Sequence, residues 1–375
     1  MTDTHGSSLH HMTNIANMAL ASLRRIAQPR LITILSSIAL ALLIGAGLIA
    51  LLGVNPFRAY GALLDGAVGN KNSIAETLVR AIPLTLAGVG VSIAFRSGTF
   101  NVGAEGQLFL GGMASAWVGL LFTNLPGPIL VALMIVAGML AGALWAGIAG
   151  FLKIALHANE FINTIMMNYI AIFFVSYLLN GPLKDPEFPM AQTAAIPAQA
   201  KLFRLIPGTR LHAGFIIAVI VVALAYFLLW HTTWGFQLRV TGKNLLAARS
   251  AGINVKWVIL SSLMASGALA GLAGYAEVAG VQLRMIENLS PGYGYTAIVV
   301  ALLGDTNPPG VLVAAILFAA LSVGASTMES AVGVPSSIVT IIQYLIVLLI
   351  MGRGVFNFIR QHWLRRAESV HTWTI

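Results

Sequence analysis

Cysteine is missing from all 375 residues, which removes disulfide frameworks, thiolate catalysis and cysteine-ligated zinc or iron–sulfur centres together. Charge is the next scarcity. Lys, Arg, Asp and Glu make up 9% of the chain, against about 25% in soluble domains, so most of it has no means of facing water. The 21 basic residues outnumber the 12 acidic ones, but they are scattered between apolar runs. They form no aromatic-interleaved patch of the kind that holds nucleic acid, and none is expected to bind. Enzyme signatures are absent as well: there is no His-Glu-x-x-His and no pair of aspartates, the patterns that would mark an intramembrane enzyme. His157, His212 and His231 fall near the ends of apolar runs, while His5, His10 and His11 lie in a polar tail and read as solvated rather than as metal ligands.

Apolar residues are what is present, at 58%. A bilayer crossing needs about 20 of them in a row, and runs of that kind occupy residues 31–54, 74–95, 106–123, 128–156, 161–180, 213–230, 255–283, 309–329 and 335–352. A further run, 291–304, is too short for a standard span. The reading is an all-α polytopic membrane bundle of about ten transmembrane helices, with a tail at 1–30, a transmembrane domain at 31–352 and a second tail at 353–375. The first run exceeds the roughly 7–15 residues of a cleavable signal, so it is read as a retained span. Basic residues gather on the cytoplasmic side of membrane proteins. Placing both termini there puts 13 of the 21 basic residues on that side, and segment 231–254 then carries three basic residues and no acid.

Two features speak of construction. Gly127-Pro128-Ile129-Leu130-Val131-Ala132 is echoed by Pro309-Gly310-Val311-Leu312-Val313-Ala314; counting 291–304, they open the fourth and ninth runs, and an odd offset makes the copies run in opposite directions, as an inverted internal repeat of the kind many transporters carry. Glycines recur at small-xxx-small spacing, Gly138 with Gly142 and Gly267 with Gly271, which lets helix backbones approach closely in lipid.

Polar residues concentrate in a few places. Phe95 to Gln107 crowds glycines with Asn101, Gly103, Glu105 and Gln107 between two apolar runs. It is either an ordinary turn or a broken, re-entrant helix, and irregular backbone at membrane depth survives only inside protein or beside an aqueous cavity. Glu160, Thr164 and Asn168 recur every four residues and share a helical face, with Asn159 and Asn163 beside it. Asn163 and Asn168 are expected to face protein rather than lipid, and Glu160 either caps its helix or lies on the pathway. Glu277 and Arg284, seven apart, are expected to share a face as an ion pair, and Asp305 to Gly310 reads as a tight turn.

The segment Val240 to Asn254 is unlike the rest: a short, basic, small-residue helix candidate between two spans. Gly242 can start its turn and Gly252 can end it. Ala247, Ala248 and Ala251 offer a slim face for a groove on another protein, while Lys243 and Arg249 supply steering charge.

Taken together, Asn101 to Gln107, Asn159 to Thr164 with Asn168-Tyr169, Gly242 to Asn254, and Ser290-Pro291-Gly292-Tyr293-Gly294-Tyr295 followed by Ala301 to Gly304 resemble the permease subunits of bacterial ABC importers for simple sugars and nucleosides, over about residues 75–352. The resemblance implies residence in the bacterial plasma membrane, a second permease subunit (identical or paralogous), two cytoplasmic ATPase subunits and an external solute-binding protein or lipoprotein. It implies that ATP and magnesium are used by the partner, since this chain has no Gly-x-x-x-x-Gly-Lys followed by Ser or Thr and is expected to bind no cofactor. The coupling helix of the family then corresponds to Gly242, Lys243, Asn244, Ala247, Ala248, Arg249, Gly252 and Ile253. A translocation path is expected at Asn101, Gly103, Glu105, Gln107, Asn163 and Asn168. An ion-coupled secondary transporter is the alternative; it needs midplane carboxylates, for which only Glu105 and Glu160 are candidates.

Overall fold

The computed structural model describes residues 35–350 and 352; the expected tails lie outside these. The described residues are helical, with α1 (Leu35–Leu51), α2 (Pro56–Val68), α3 (Lys71–Arg96), α4 (Ala104–Leu121), α5 (Gly127–Leu156), α6 (Glu160–Asn180), α7 (Gly214–His231), α8 (Thr233–Lys243), α9 (Leu245–Ser250), α10 (Val255–Glu277), α11 (Tyr293–Leu303), α12 (Pro308–Val332) and α13 (Ser336–Ile350). Extended pairing among them is confined to two isolated bridges. The chain divides into two compact units, a smaller one containing α1 and most of α13, and a larger one spanning Arg58–Ser336.

Among the described residues, six helices are long and apolar enough to cross a membrane, or seven if α1 and α2 count as one broken span. The sequence reading of about ten crossings also took in α4, α11 and α13. α11 has only 11 residues, roughly 16 Å at 1.5 Å per residue, as its short apolar run implied. α4 spends its first turn on Glu105 and Gln107, which shortens its apolar stretch.

Burial ranks the helices of the larger unit. α3 has 83% of its most apolar window inside the protein, α10 has 61% and α12 has 56%, whereas α5 and α7 have 28% and α6 has 33%. A helix that is apolar all round belongs in a bundle core or in lipid, so α3 is the central post and α5, α6 and α7 offer an outer apolar face. Phe173, Tyr177, Leu140 and Leu144 lie on that face, exposed.

The two glycine pairs read from the sequence meet each other. A Cβ on Gly142 of α5 would lie 2.1 Å from the Gly267 carbonyl oxygen of α10, and one on Gly271 would lie 2.1 Å from that of Gly138. The helices cross in backbone contact, a closeness only hydrogen-sized side chains permit. Both echo segments open helices, α5 and α12, each with proline in the first turn, where its missing N–H costs nothing.

Between α6 and α7 the segment 181–213 folds back onto the end of α10. Backbone N–H groups of Thr193, Ile196 and Leu202 donate to the carbonyls of Met285, Leu283 and Ala279. One of these bonds falls on a π-helical turn, Val278–Gln282, and another on the left-handed Leu283 that ends it.

Candidate functional site

Three neighbourhoods hold the polar chemistry of the larger unit. The first is the break between α3 and α4. α3 stops at Arg96, residues 99–103 are irregular, and Asn101, Glu105 and Gln107 are each at most 3% exposed. The segment is therefore a buried elbow, not a solvated turn. Every bond it makes compensates for a broken helix. Asn101 donates to Gln107 at 2.9 Å and to Ser266 of α10 at 2.8 Å, while its own oxygen accepts from the Gly103 N–H at 3.0 Å and from the Gln107 amide at 3.1 Å.

Caps arrive from other helices. The Gly103 N-cap of α4 has no side chain to supply one. Instead Asn168 of α6 accepts from the Gly106 N–H at 2.8 Å and donates to the Val102 carbonyl at 2.8 Å, while Thr164 accepts from the Val102 N–H at 3.2 Å. Glu105 in turn accepts from the Gly294 N–H in the first turn of α11 at 2.6 Å, where the helix dipole favours an anion. The elbow thus ties α3, α4, α6, α10 and α11 together. Of the expected path residues, Asn101, Gly103, Glu105, Gln107 and Asn168 are brought into one network. Asn163 stands apart, bonded to the Ala149 carbonyl of α5 at 3.3 Å, and Glu160 forms an ion pair with Lys153 at 2.5 Å.

The second neighbourhood is the segment between α7 and α10. The expected single helix is two: α8 carries Thr241, Gly242 and Lys243 in its last turn, and α9 is a six-residue helix whose N-cap Asn244 accepts from the Leu246 and Ala247 N–H groups. Gly252, with φ +76°, ends it; the Ile253 N–H returns to the Ala248 carbonyl at 3.1 Å, a Schellman closure. Ala247, Arg249, Ser250 and Ala251 are exposed, as is Leu246, whereas Ala248 is fully buried. The face available to another protein therefore excludes Ala248, because a residue one position along a helix turns about 100° away. Gly242 is more than a turn starter: a Cβ there would lie 2.2 Å from the Arg96 carbonyl oxygen and 2.9 Å from the Gly98 nitrogen. The segment rests on the end of α3, a few residues from the elbow.

The third neighbourhood, missed in sequence, is a charged cavity of about 300 Å³ lined by Glu76, Arg80, Arg210, Glu277, Gln282, Asn288 and Tyr293 among others. Glu76 pairs with Arg80 at 3.6 Å and with Arg210 at 3.3 Å, and Glu277, 4% exposed, feels the charges of all three. Glu277 does not pair with Arg284, whose guanidinium instead covers the Phe188 ring at 5.3 Å. The helix closes in the π-helical turn and left-handed Leu283, so Arg284 lies past its end and shares no helical face with Glu277. An acid inside an apolar run was the available signal.

Comparison with known proteins follows this geometry. Residues 73–351 match the family model described as branched-chain amino acid transport system / permease component. The glucose ABC transporter permease protein TsgB13 of Haloferax volcanii is 38% identical, over 84% of this chain and 86% of its own length. The guanosine ABC transporter permease protein NupP of Bacillus subtilis is 36% identical, over 87% and 94%. The nucleoside ABC transporter permease protein NupB of Lactococcus lactis is 32% identical, over 90% and 93%. Among solved structures, a metal-chelate type ABC transporter in an inward-facing conformation aligns with 86% of this chain and 99% of that one, at 17% identity and a TM-score of 0.42. With its family model matched over residues 73–351 and relatives above 30% identity covered over more than four fifths of their length, this chain belongs to the permease component family of ABC transporters.

Proposed function

We propose that this chain forms half of the translocation path of an ATP-driven importer for a neutral, hydroxyl-rich solute, a nucleoside or a simple sugar. The observation that carries the reading is the seat of Gly242 on Arg96 and Gly98. A displacement of the α8–α9 segment is delivered directly to the end of the central helix and so to the Asn101–Gln107 elbow, where α3, α4, α6, α10 and α11 meet. One of two ATPase subunits docks on the exposed face of α9, around Leu246, Ala247 and Arg249, from the cytoplasm of a bacterial cell, and the other docks on the second permease subunit. A second permease subunit, identical or paralogous, completes the path. Magnesium and ATP are handled by the ATPases, and this chain catalyses no reaction.

The charged cavity lies toward the opposite end, beside segment 181–213, where solute arrives from an external binding protein. Gln282, Asn288 and the Tyr293 ring offer hydrogen bonds and an aromatic face, groups that suit a sugar or ribose ring. Glucose, guanosine and nucleoside are the solutes in the names of the three relatives. Asn101, Gly103, Glu105, Gln107 and Asn168 are assigned to the moving joint of the path rather than to direct solute contact, because their polar groups bond within the protein; Asn163, bonded to the Ala149 carbonyl, stays outside that joint.

The test is reconstitution in proteoliposomes with the cognate ATPases and binding protein. Uptake is expected to require ATP and to survive collapse of the proton and sodium gradients. Uptake without ATPases that follows an ion gradient would select the ion-coupled alternative and overturn this reading. The solute that thermally stabilises the binding protein decides between nucleoside and sugar.

A further inference from the structure

A second cavity, of about 660 Å³, opens at the bundle end that bears the α8–α9 segment. It is lined by Phe95 and Arg96 from α3, Trp230 from α7, Phe236, Arg239 and Lys243 from α8, and Thr306 from the α11–α12 turn. Its chemistry is cationic and aromatic at once. The guanidinium carbons of Arg96 and Arg239 lie 5.1 and 4.5 Å from the Trp230 ring centroid, so one indole holds two like charges that repel each other. Arg96 spends its Nε on the Thr306 carbonyl at 3.1 Å and Nη2 on the Asp305 carbonyl at 3.2 Å. Arg239 and Lys243 have no carboxylate within 4.0 Å among the described residues. The Asp305 carboxylate offsets part of the Arg96 charge, but three cations against one carboxylate leave the hollow net positive, which favours an entering anion.

Position names the anion. Arg96 is the last residue of α3 and Trp230 the penultimate residue of α7, both of membrane-spanning length. Their ends mark the plane where hydrocarbon gives way to headgroups, the level at which tryptophan and arginine settle. Phe236, which lines the cavity, is 54% exposed and offers apolar surface beside the charges. A phosphate with acyl chains attached satisfies both halves of this lining; a free phosphate satisfies only one.

We infer that this cavity binds the phosphate of an anionic phospholipid headgroup, bridging the ends of α3 and α7 to α8. Basic pockets between membrane helices are suited to this. Occupancy would brace the ends of α3 and α7 against α8.

The full-length chain, purified and exchanged into nanodiscs or mild detergent, is assayed by native mass spectrometry and thermal unfolding with phosphatidylglycerol, phosphatidylcholine or inorganic phosphate. Retention of phosphatidylglycerol and a higher unfolding temperature with it than with phosphatidylcholine are expected, with no shift from inorganic phosphate at equal concentration. Arg239→Gln should weaken phosphatidylglycerol binding about fivefold, the scale of one basic residue at a lipid surface, and Arg239→Lys should keep part of it. The lipid comparison on the unaltered chain stands whether or not either variant folds. Equal retention of the two lipids overturns the inference, as does stabilisation by inorganic phosphate alone. It is also overturned if Arg239→Gln leaves lipid binding intact and instead releases the ATPase partner.

Discussion

Asn168→Leu is the sharpest perturbation of the elbow, because it keeps the side-chain volume nearly constant while removing both polar atoms. In the structure Asn168 is fully buried. It satisfies the Gly106 N–H and the Val102 carbonyl at 2.8 Å each; its third contact, to the Tyr295 hydroxyl at 3.4 Å, is too long to count. Interhelical side-chain bonds in membrane proteins average only about 0.6 kcal/mol, since freed groups usually find other partners. Here the freed groups are backbone atoms of an irregular segment and a helix start with no nearby water. The larger figure applies, about 1–3 kcal/mol for each buried orphan, or about 2–6 kcal/mol in all. Asn163→Ala is the control, for it gives up a 3.3 Å bond to the carbonyl of Ala149, an oxygen inside α5 that the helix ladder already serves. Thermal unfolding of both variants in the same nanodiscs, alongside ATP-driven uptake, makes the comparison. Asn168→Leu should lower the midpoint by at least about 4 °C, at roughly 2–4 °C per kcal/mol, and abolish uptake. Asn163→Ala should stay within about 2 °C on the same scale. Equal midpoints for the two variants, or wild-type uptake by Asn168→Leu, would refute the elbow as a structural joint.

Further outcomes follow from close contacts and from one buried base. Gly242→Ala places a methyl 2.2 Å from the Arg96 carbonyl; it should leave membrane insertion intact while eliminating solute-stimulated ATPase activity in the reconstituted complex, and normal stimulation would remove this contact from the coupling route. Gly267→Ala sets a Cβ 2.2 Å from the Gly142 carbonyl, an overpacking of backbone on backbone that should cost about 1–3 kcal/mol, read as a lower unfolding midpoint. His212, 1% exposed, accepts from the Gly214 N–H through Nδ1 at 3.2 Å, and burial with the nearby Arg204 and Arg210 charges pushes its pKa down to about 4. Because that value lies below the roughly 6.5 of an unfolded histidine, the unfolded chain binds the extra proton between the two. Stability is then full above about pH 6.5 and falls by up to about 3 kcal/mol as the pH drops to 4. Unfolding midpoints of wild type and His212→Gln measured across that window should diverge, and parallel curves would remove His212 from the account.

Much of this protein is written locally. The scarcity of charge and the length of the apolar runs fixed a helical membrane bundle, since only helices and closed barrels satisfy backbone hydrogen bonds in lipid and runs this long and continuous lack the alternation of barrel strands. Pro128 and Pro308 with Pro309 mark helix starts, Gly252 marks a helix end, and the pairs Gly138/Gly142 and Gly267/Gly271 announce close crossings, all through restrictions carried by single residues. Partners across the bundle are another matter. That the two glycine pairs face each other, that Asn168 caps α4 and Glu105 caps α11, that Ala248 turns inward and that Gly242 sits on α3 depend on contacts between residues tens to hundreds of positions apart. No helical period encodes such distances. The Glu277 cavity was hidden for a sharper reason: its helix ends in a π-helical turn and left-handed Leu283, and the cavity brings Glu277 together with Glu76, Arg80 and Arg210 from distant parts of the chain.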